Sequence, residues 1–99
     1  MQITQGSPVV GQLTIAQLEC FVASIDAGSF TGAATTLRVS QPAVAEQIQR
    51  LERAVGQSLF ARRPRGVALT VAGAELEMHA RRVLDAARDA VAFASQSNT

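Results

Sequence analysis

The segment Thr31-Gly32-Ala33-Ala34-Thr35-Thr36-Leu37-Arg38-Val39-Ser40-Gln41-Pro42-Ala43-Val44-Ala45-Glu46-Gln47-Ile48-Gln49-Arg50-Leu51-Glu52-Arg53-Ala54-Val55-Gly56 decides the fold. Phe30, Ala33, Ala34 and Leu37 recur at helical spacing, and Thr31 is the expected N-cap of a short helix. Ala33 and Ala34 are small enough to let another helix cross close by. Arg38-Val39-Ser40 leaves room only for a tight turn, with Val39 expected as a buried plug and Ser40 as the next N-cap. Pro42 falls in the first turn of that next helix, where its missing N–H leaves no intrahelical bond unmade. Val44, Ile48, Leu51 and Val55 form the inner face, and Gly56 ends the helix. At about 100° per residue the opposite face holds Pro42, Glu46, Gln49, Arg50 and Arg53, flanked by Ala45. A short helix, a tight turn and a second helix with an exposed polar face make a helix-turn-helix. The plainer alternative is a solvated face that binds nothing.

Upstream, Thr14 and Gln17 have the spacing of a capping box, so a helix begins at Thr14. Ile15, Leu18, Val22 and Ile25 give its stripe, Phe21 widens it, and Gly28 is placed to take the left-handed residue beyond its end. Cys20 lies beside the stripe and reads as a small packed hydrophobe, since nothing nearby in sequence lowers its pKa. Residues 1–12 hold Gly6, Pro8 and Gly11 with no apolar period, and read as a flexible N-terminal arm.

Downstream, the period changes. Leu59 and Phe60 lead into Ala61-Arg62-Arg63-Pro64-Arg65-Gly66, then Val67-Ala68-Leu69. Pro64 and Gly66 suit a type I turn, and Val67 and Leu69 alternate with Ala68 as in a half-buried strand. The segment 59–69 is therefore a two-stranded wing with Arg63 and Arg65 at its tip and Arg62 at its base. Clustered arginines favour a polyanion, and a narrow minor groove attracts such side chains. Thr70 is the expected N-cap of a last helix of roughly 25 residues, about 37 Å long. Its seam is Leu76, Ala80, Val83, Ala87, Ala90 and Ala94, with Leu84 and Val91 alongside. Glu77 can pair with Arg81, and Arg81 with Asp85. A core this small cannot cover such a helix, so its stripe needs a partner, most simply the same helix of a second copy. Folding back on its own domain is the alternative. The polar tail from Ser95 to Thr99 is expected to fray.

Composition removes other classes of function. The chain has 99 residues, 47% of them hydrophobic and 17% charged, which is the profile of one small folded domain rather than a disordered chain. No apolar run approaches the length of a membrane span, and the N-terminal stretch is not a secretory signal, which together suggest a cytoplasmic protein. One cysteine and one histidine, His79, leave no disulfide, metal cluster or triad, and no glycine-rich phosphate loop is present. Neither an enzyme nor a cofactor is expected. The net charge of +1 hides an uneven distribution: in residues 38–65 six arginines face only Glu46 and Glu52, while both flanks are acidic. All nine basic residues are arginine, whose planar fork suits phosphates and guanine edges.

From Leu13 to about Leu84 the chain resembles the DNA-binding domain of LysR-type bacterial transcriptional regulators. The resemblance rests on Leu18-x-x-Phe21, Gly28-Ser29-Phe30-Thr31, Ala33-Ala34-x-x-Leu37 and Val39-Ser40-Gln41-Pro42-Ala43-Val44. It continues through Gln47-Ile48-x-x-Leu51-Glu52, Gly56-x-x-Leu59-Phe60-x-Arg62 and Leu69-Thr70-x-Ala72-Gly73. It implies a mainly α fold: a winged helix-turn-helix over residues 13–70, then a linker and dimerisation helix over 71–99. It also implies dimers or tetramers on interrupted inverted repeats, and a small-molecule effector bound by a separate C-terminal domain, so that this chain is expected to be part of a longer regulator. Matching the family pattern, Gln41 and Pro42 lie at the groove end of the recognition helix, and Arg62 and Arg65 take wing positions. Three positions depart from the pattern. Gly32 stands where the family often has a long side chain, and Ala45-Glu46 replaces a common Ser-Arg. Glu46 either accepts from a cytosine amino group or points away and weakens binding.

The expected mechanism follows. Helix 40–55 enters the major groove of double-stranded DNA with Gln41, Pro42, Ala45, Glu46 and Gln49 nearest the bases. Thr31 and Ser40 bring helix starts to phosphates, Arg50 and Arg53 clamp phosphates, and Arg65 with Arg63 reaches the minor groove. The rival reading is a protein-interaction module in which the basic middle is incidental. A small-molecule sensor is disfavoured because too little chain remains to enclose a pocket.

Overall fold

The computed structural model describes residues 12–97. The expectation of an N-terminal arm falls outside the described residues except at Gln12. In chain order the elements are α1 (Ile15–Ala27), α2 (Phe30–Leu37), α3 (Gln41–Val55), β1 (Phe60–Arg63), β2 (Gly66–Leu69) and α4 (Val71–Ser97). Three helices pack around a shared core, an antiparallel two-stranded wing follows, and the long α4 returns across α1.

Local chemistry sets each boundary. The capping box of α1 forms in full: Gln17 N–H donates to Thr14 Oγ1, and Thr14 N–H donates to Gln17 Oε1, each at 3.1 Å. Gly28 ends α1 in the left-handed conformation at φ 75°. The cap of α2 is Ser29, not Thr31. After Gly28 the chain is extended at Ser29, so its Oγ accepts from Gly32 N–H at 2.9 Å, while Thr31 is already inside the helix. Arg38 closes α2 in the left-handed region at φ 62°. That turn sends the Val39 side chain outward at 46% exposure, so Val39 does not plug the core. Ser40 caps α3, with Oγ accepting from Ala43 N–H at 3.2 Å, and Gly56 ends it.

The core is built from Leu18, Phe21, Phe30, Val44, Ile48, Leu51, Leu59 and Phe60, with Ala33 and Ala34 at the crossing of α2. The Phe60 ring is tilted against Phe21 and edge-on to Phe30, each with centroids 5.5 Å apart, in the range that favours aromatic pairs. The buried face of α1 differs from the stripe read from sequence. Leu18, Phe21 and Val22 are joined by Gln17, Cys20 and Ser24, while Ile15 is exposed and Ile25 only half-buried. The cause is that α1 touches α2, α3 and α4, so it buries a broad face that small polar residues also occupy. Ser24 is accommodated because its Oγ donates to Cys20 O at 2.8 Å. In α3 the last inward residue is Ala54, with Val55 only partly covered.

The wing pairs Phe60 with Leu69 and Arg63 with Gly66. Arg62 therefore lies opposite Val67, one step from the tip rather than at the base. Both strands of the wing root in the core through Leu59, Phe60, Val67 and Leu69, and β2 shows no strict alternation of burial. Val67 N–H donates to Gly28 O at 3.0 Å, which brings the wing against the α1–α2 corner. Gly66 is required there: its φ is +150°, and a Cβ would collide with the Gly28 carbonyl oxygen. Gly73 is needed for the same reason where α4 passes the Leu59 carbonyl.

Thr70 caps α4 with Oγ1 accepting from Gly73 N–H at 3.0 Å. The helix then divides its apolar stripe in two. Ala80 and Leu84 are 1% and 3% exposed, packed into the core of their own domain, with Leu76 and Ala87 half-buried. Ala80 and Leu84 are thus corrected from dimer contacts to intramolecular ones, because α4 lies on α1 over this stretch. Beyond Leu84 the stripe continues over Ala90, Val91 and Ala94 without cover. Arg81 Nε donates to Glu77 at 2.9 Å, and its Nη2 reaches Asp26 of α1 at 2.7 Å rather than Asp85. Asp85 pairs with Arg88 instead. The backbone stays helical through Ser97, past the point where fraying is expected from sequence.

Candidate nucleic-acid interface

The outward side of α3 is a consequence of what the inward side buries. Val44, Ile48, Leu51 and Ala54 are held in the core, which leaves Gln41, Pro42, Glu46, Gln49, Arg50 and Arg53 exposed and Ala45 half-covered at the edge. The helix offers solvent a continuous polar stripe in which Pro42, Glu46, Gln49 and Arg53 follow at one-turn intervals.

The wing adds charge to the same side. Arg62, Arg63 and Arg65 are exposed. Together with Ser29, Phe30, Thr31 and Gln41 they line a single shallow cleft. That cleft joins the start of α2, the start of α3 and the wing. Helix starts carry partial positive charge and unpaired N–H groups, so three arginines beside them make an anion-attracting surface. The Arg62 guanidinium sits 5.7 Å from the centre of the Phe30 ring, which restrains it while leaving its N–H groups free to face outward. A second groove, between α3 and the wing, is walled by Ala45, Gln49, Glu52, Phe60, Arg62 and Val67.

The structure therefore brings Gln41, Thr31, Arg62, Arg63 and Arg65 around one cleft, and places Pro42, Glu46, Gln49 and Arg53 along the adjoining stripe. Ser40 caps the helix beside them. Two features were missed by sequence reasoning. Arg50 Nη2 donates to Glu46 Oε2 at 2.8 Å, so these two side chains are one unit. Their i,i+4 spacing is the signal for that pair. Glu52 is not a surface charge but a tether, with Oε2 accepting from the N–H groups of Leu59 and Phe60. No local spacing reveals it, because its partners lie beyond the helix end.

Elsewhere, Cys20 is buried, and burial with nearby Glu19 raises its thiol pKa, which disfavours the reactive thiolate. Among the described residues no group of histidine, cysteine or carboxylate side chains has the arrangement of a metal site. No described helix is long and apolar enough to cross a membrane.

Known proteins resemble the chain in sequence and in fold. The chain is 50% identical over 74 residues to the HTH-type transcriptional regulator AbaB of Streptomyces antibioticus, covering 75% of this chain and 25% of that protein. It is 44% identical over 88 residues to a probable hydrogen peroxide-inducible genes activator of Mycobacterium avium, covering 89% and 28%. The chain thus spans about a quarter of the length of these relatives. Its fold is similar to the protein chain in the crystal structure of the CbnR DBD–DNA complex, with a TM-score of 0.80 and 36% identity over 88% of this chain and all of that one. It is similar also to BenM DBD in complex with catB site 1 DNA, with a TM-score of 0.82 and 31% identity over 88% and 98%. Residues 15–74, from the capped first helix to the first turn of α4, match the bacterial regulatory helix-turn-helix proteins of the lysR family, and to that family the chain belongs.

Proposed function

We propose that the chain binds double-stranded DNA in a sequence-specific manner, as the DNA-reading part of a bacterial LysR-type transcriptional regulator. The observation that carries this is the shared placement of the uncovered polar stripe of α3, the three wing arginines and the starts of α2 and α3. A helix exposing such a stripe fits the major groove, whose width admits one helix. Pro42, Ala45, Glu46 and Gln49, with Gln41, then stand nearest the base edges, since residues early in a recognition helix reach deepest. Arg50 and Arg53 face phosphates farther along, and Arg63 and Arg65 reach the flanking minor groove. Thr31 and Ser40 flank the phosphate-facing helix starts. Supporting this, the chains of the CbnR and BenM complexes are crystallised with DNA.

The dimer belongs to the same reading. Val83, Ala87, Ala90, Val91 and Ala94 run past the domain on α4 and pair with a second copy, so that two recognition helices read an interrupted inverted repeat. Tetramers and a small-molecule effector enter only through a longer polypeptide, and the working location is the bacterial cytoplasm, at the nucleoid. No catalytic role forms part of this reading. The test is selection of bound duplexes from a random library, with sedimentation of the chain in parallel. Enrichment of an inverted repeat by a dimer is expected. Failure to retard any duplex, together with a salt-insensitive complex with protein, returns the interaction-module reading.

A further inference from the structure

Glu46 is an anomaly on a surface otherwise suited to a polyanion. It is 60% exposed, sits in the middle of the outward stripe between Pro42 and Gln49, and carries the charge that phosphates repel. Resting on the DNA-binding reading above, we propose that Glu46 is a specificity-determining residue that selects cytosine at one position of each half-site, with Arg50 as its positioning residue.

The geometry of the pair supports both halves. Arg50 Nη2 donates to Glu46 Oε2 at 2.8 Å, one helical turn away, and this bond draws the carboxylate toward the helix. Glu46 Oε1 has no hydrogen-bond partner among the described residues and faces solvent. On the helical wheel Arg50 lies to one side of the stripe, toward the wall of a groove, while Glu46 lies at its floor. The guanidinium thus partly offsets the carboxylate and keeps further N–H groups to offer a phosphate. What remains at the floor is an acceptor oxygen without a donor of its own, whose charge the exposed guanidinium offsets only in part.

An acceptor-only group chooses among base edges by elimination. Guanine presents two acceptors in the major groove and thymine an acceptor and a methyl, so both reject a carboxylate. Adenine offers an amine, but beside the N7 acceptor. Cytosine offers its N4 amine with no adjacent acceptor on its own edge, and it is the base that carboxylates accept from.

The experiment repeats the duplex selection with the 99-residue chain and with E46A, E46Q and R50A. The starting chain should enrich cytosine at one position per half-site by about tenfold or more over other bases. E46A should lose that enrichment alone and bind non-cognate duplexes several-fold more tightly, because a phosphate-repelling charge is gone. E46Q should move the preference toward adenine, which a carboxamide meets with both donor and acceptor. R50A should weaken binding to all sequences and also relax the cytosine preference, because the carboxylate is no longer held; a preference retained in full removes the positioning role from Arg50. Cytosine enrichment that survives E46A, or an E46A gain equal on every duplex with no position relaxed, overturns the proposal while leaving DNA binding intact. Failure of the starting chain to enrich any duplex overturns the DNA-binding reading, and this proposal with it.

Discussion

Glu52 Oε2 accepts a hydrogen bond from the Leu59 backbone N–H at 2.8 Å, joining the last turns of α3 to the entrance of the wing. The same oxygen accepts from Phe60 N–H at 3.3 Å. Leu59 and Phe60 are buried, so without the carboxylate their N–H groups have little access to water. This side chain thus ties the recognition helix to the arginine-bearing hairpin.

Replacing Glu52 with alanine should therefore cost about 1.5–3 kcal/mol, the range for hydrogen bonds to a charged group. Urea unfolding followed by circular dichroism measures it. Glu52→Gln keeps one acceptor and should cost less. A loss in E52A below about 0.5 kcal/mol, the level of an ordinary surface change, contradicts the tether.

Arg65 lies at the wing tip, exposed and without an ion-pair partner among the described residues. If it meets the DNA backbone or the minor groove, R65A removes about one neutralised phosphate. The slope of log affinity against log salt then becomes shallower by about 0.9 for a single copy, and by twice that for a symmetric dimer. Because Arg65 makes no contact in the core, thermal stability should not change. An unaltered slope removes the wing tip from the interface.

Most of the helical boundaries were legible because they rest on local chemistry. The Thr14–Gln17 box, Ser40 with Pro42, Gly56 and Thr70 each act within one turn, and spacing alone locates them. The misreadings arise where backbone turns or tertiary contacts, neither of which spacing encodes, decide the outcome. Thr31 and Ser29 are both good caps, and the choice depends on where Gly28 leaves the chain. Val39 looked like core because it is apolar, but the left-handed Arg38 turns it out. Ala80 and Leu84 looked like a partner's seam because periodicity reports a buried face without saying what buries it. The polar stripe of α3 was readable as the complement of its apolar face. The Glu46–Arg50 pair had its signal in the i,i+4 spacing, whereas the Glu52 tether had none, because its partners lie beyond the helix end.

Cys20 gives a test of packing through pH. Burial, with Glu19 nearby, raises the folded thiol above its ordinary value of 9.0, whereas in the unfolded chain it ionises near that value. At higher pH the unfolded state loses a proton that the native state keeps, so native stability falls. The contribution is fully present below 9.0 and is lost as pH rises above it. The chain has no lysine and no tyrosine, so few other groups compete with this thiol just above its ordinary value. Unfolding free energy should therefore fall as pH rises above 9.0, and C20A should flatten the profile. An equal decline in C20A places the cause elsewhere.

The uncovered end of α4 gives the last expectation. Val91 and Phe93 are 66% and 71% exposed, and Val91 continues the stripe whose earlier turns bury Ala80 and Leu84. The thirteen residues from Asp85 to Ser97 extend the helix by roughly 20 Å beyond Leu84. A glutamate at Val91 in each copy would desolvate two like charges at a paired seam, and the one arginine within a turn, Arg88, already pairs with Asp85. V91E should convert a dimer to a monomer in sedimentation without changing the unfolding of the winged domain, since Val91 lies outside its core. Binding to an inverted repeat should weaken about tenfold or more as the gain from linked half-sites is lost, while binding to a single half-site should change little. If V91E remains dimeric, the copies meet through another surface, and the exposed length of α4 beyond Leu84 does not hold them together.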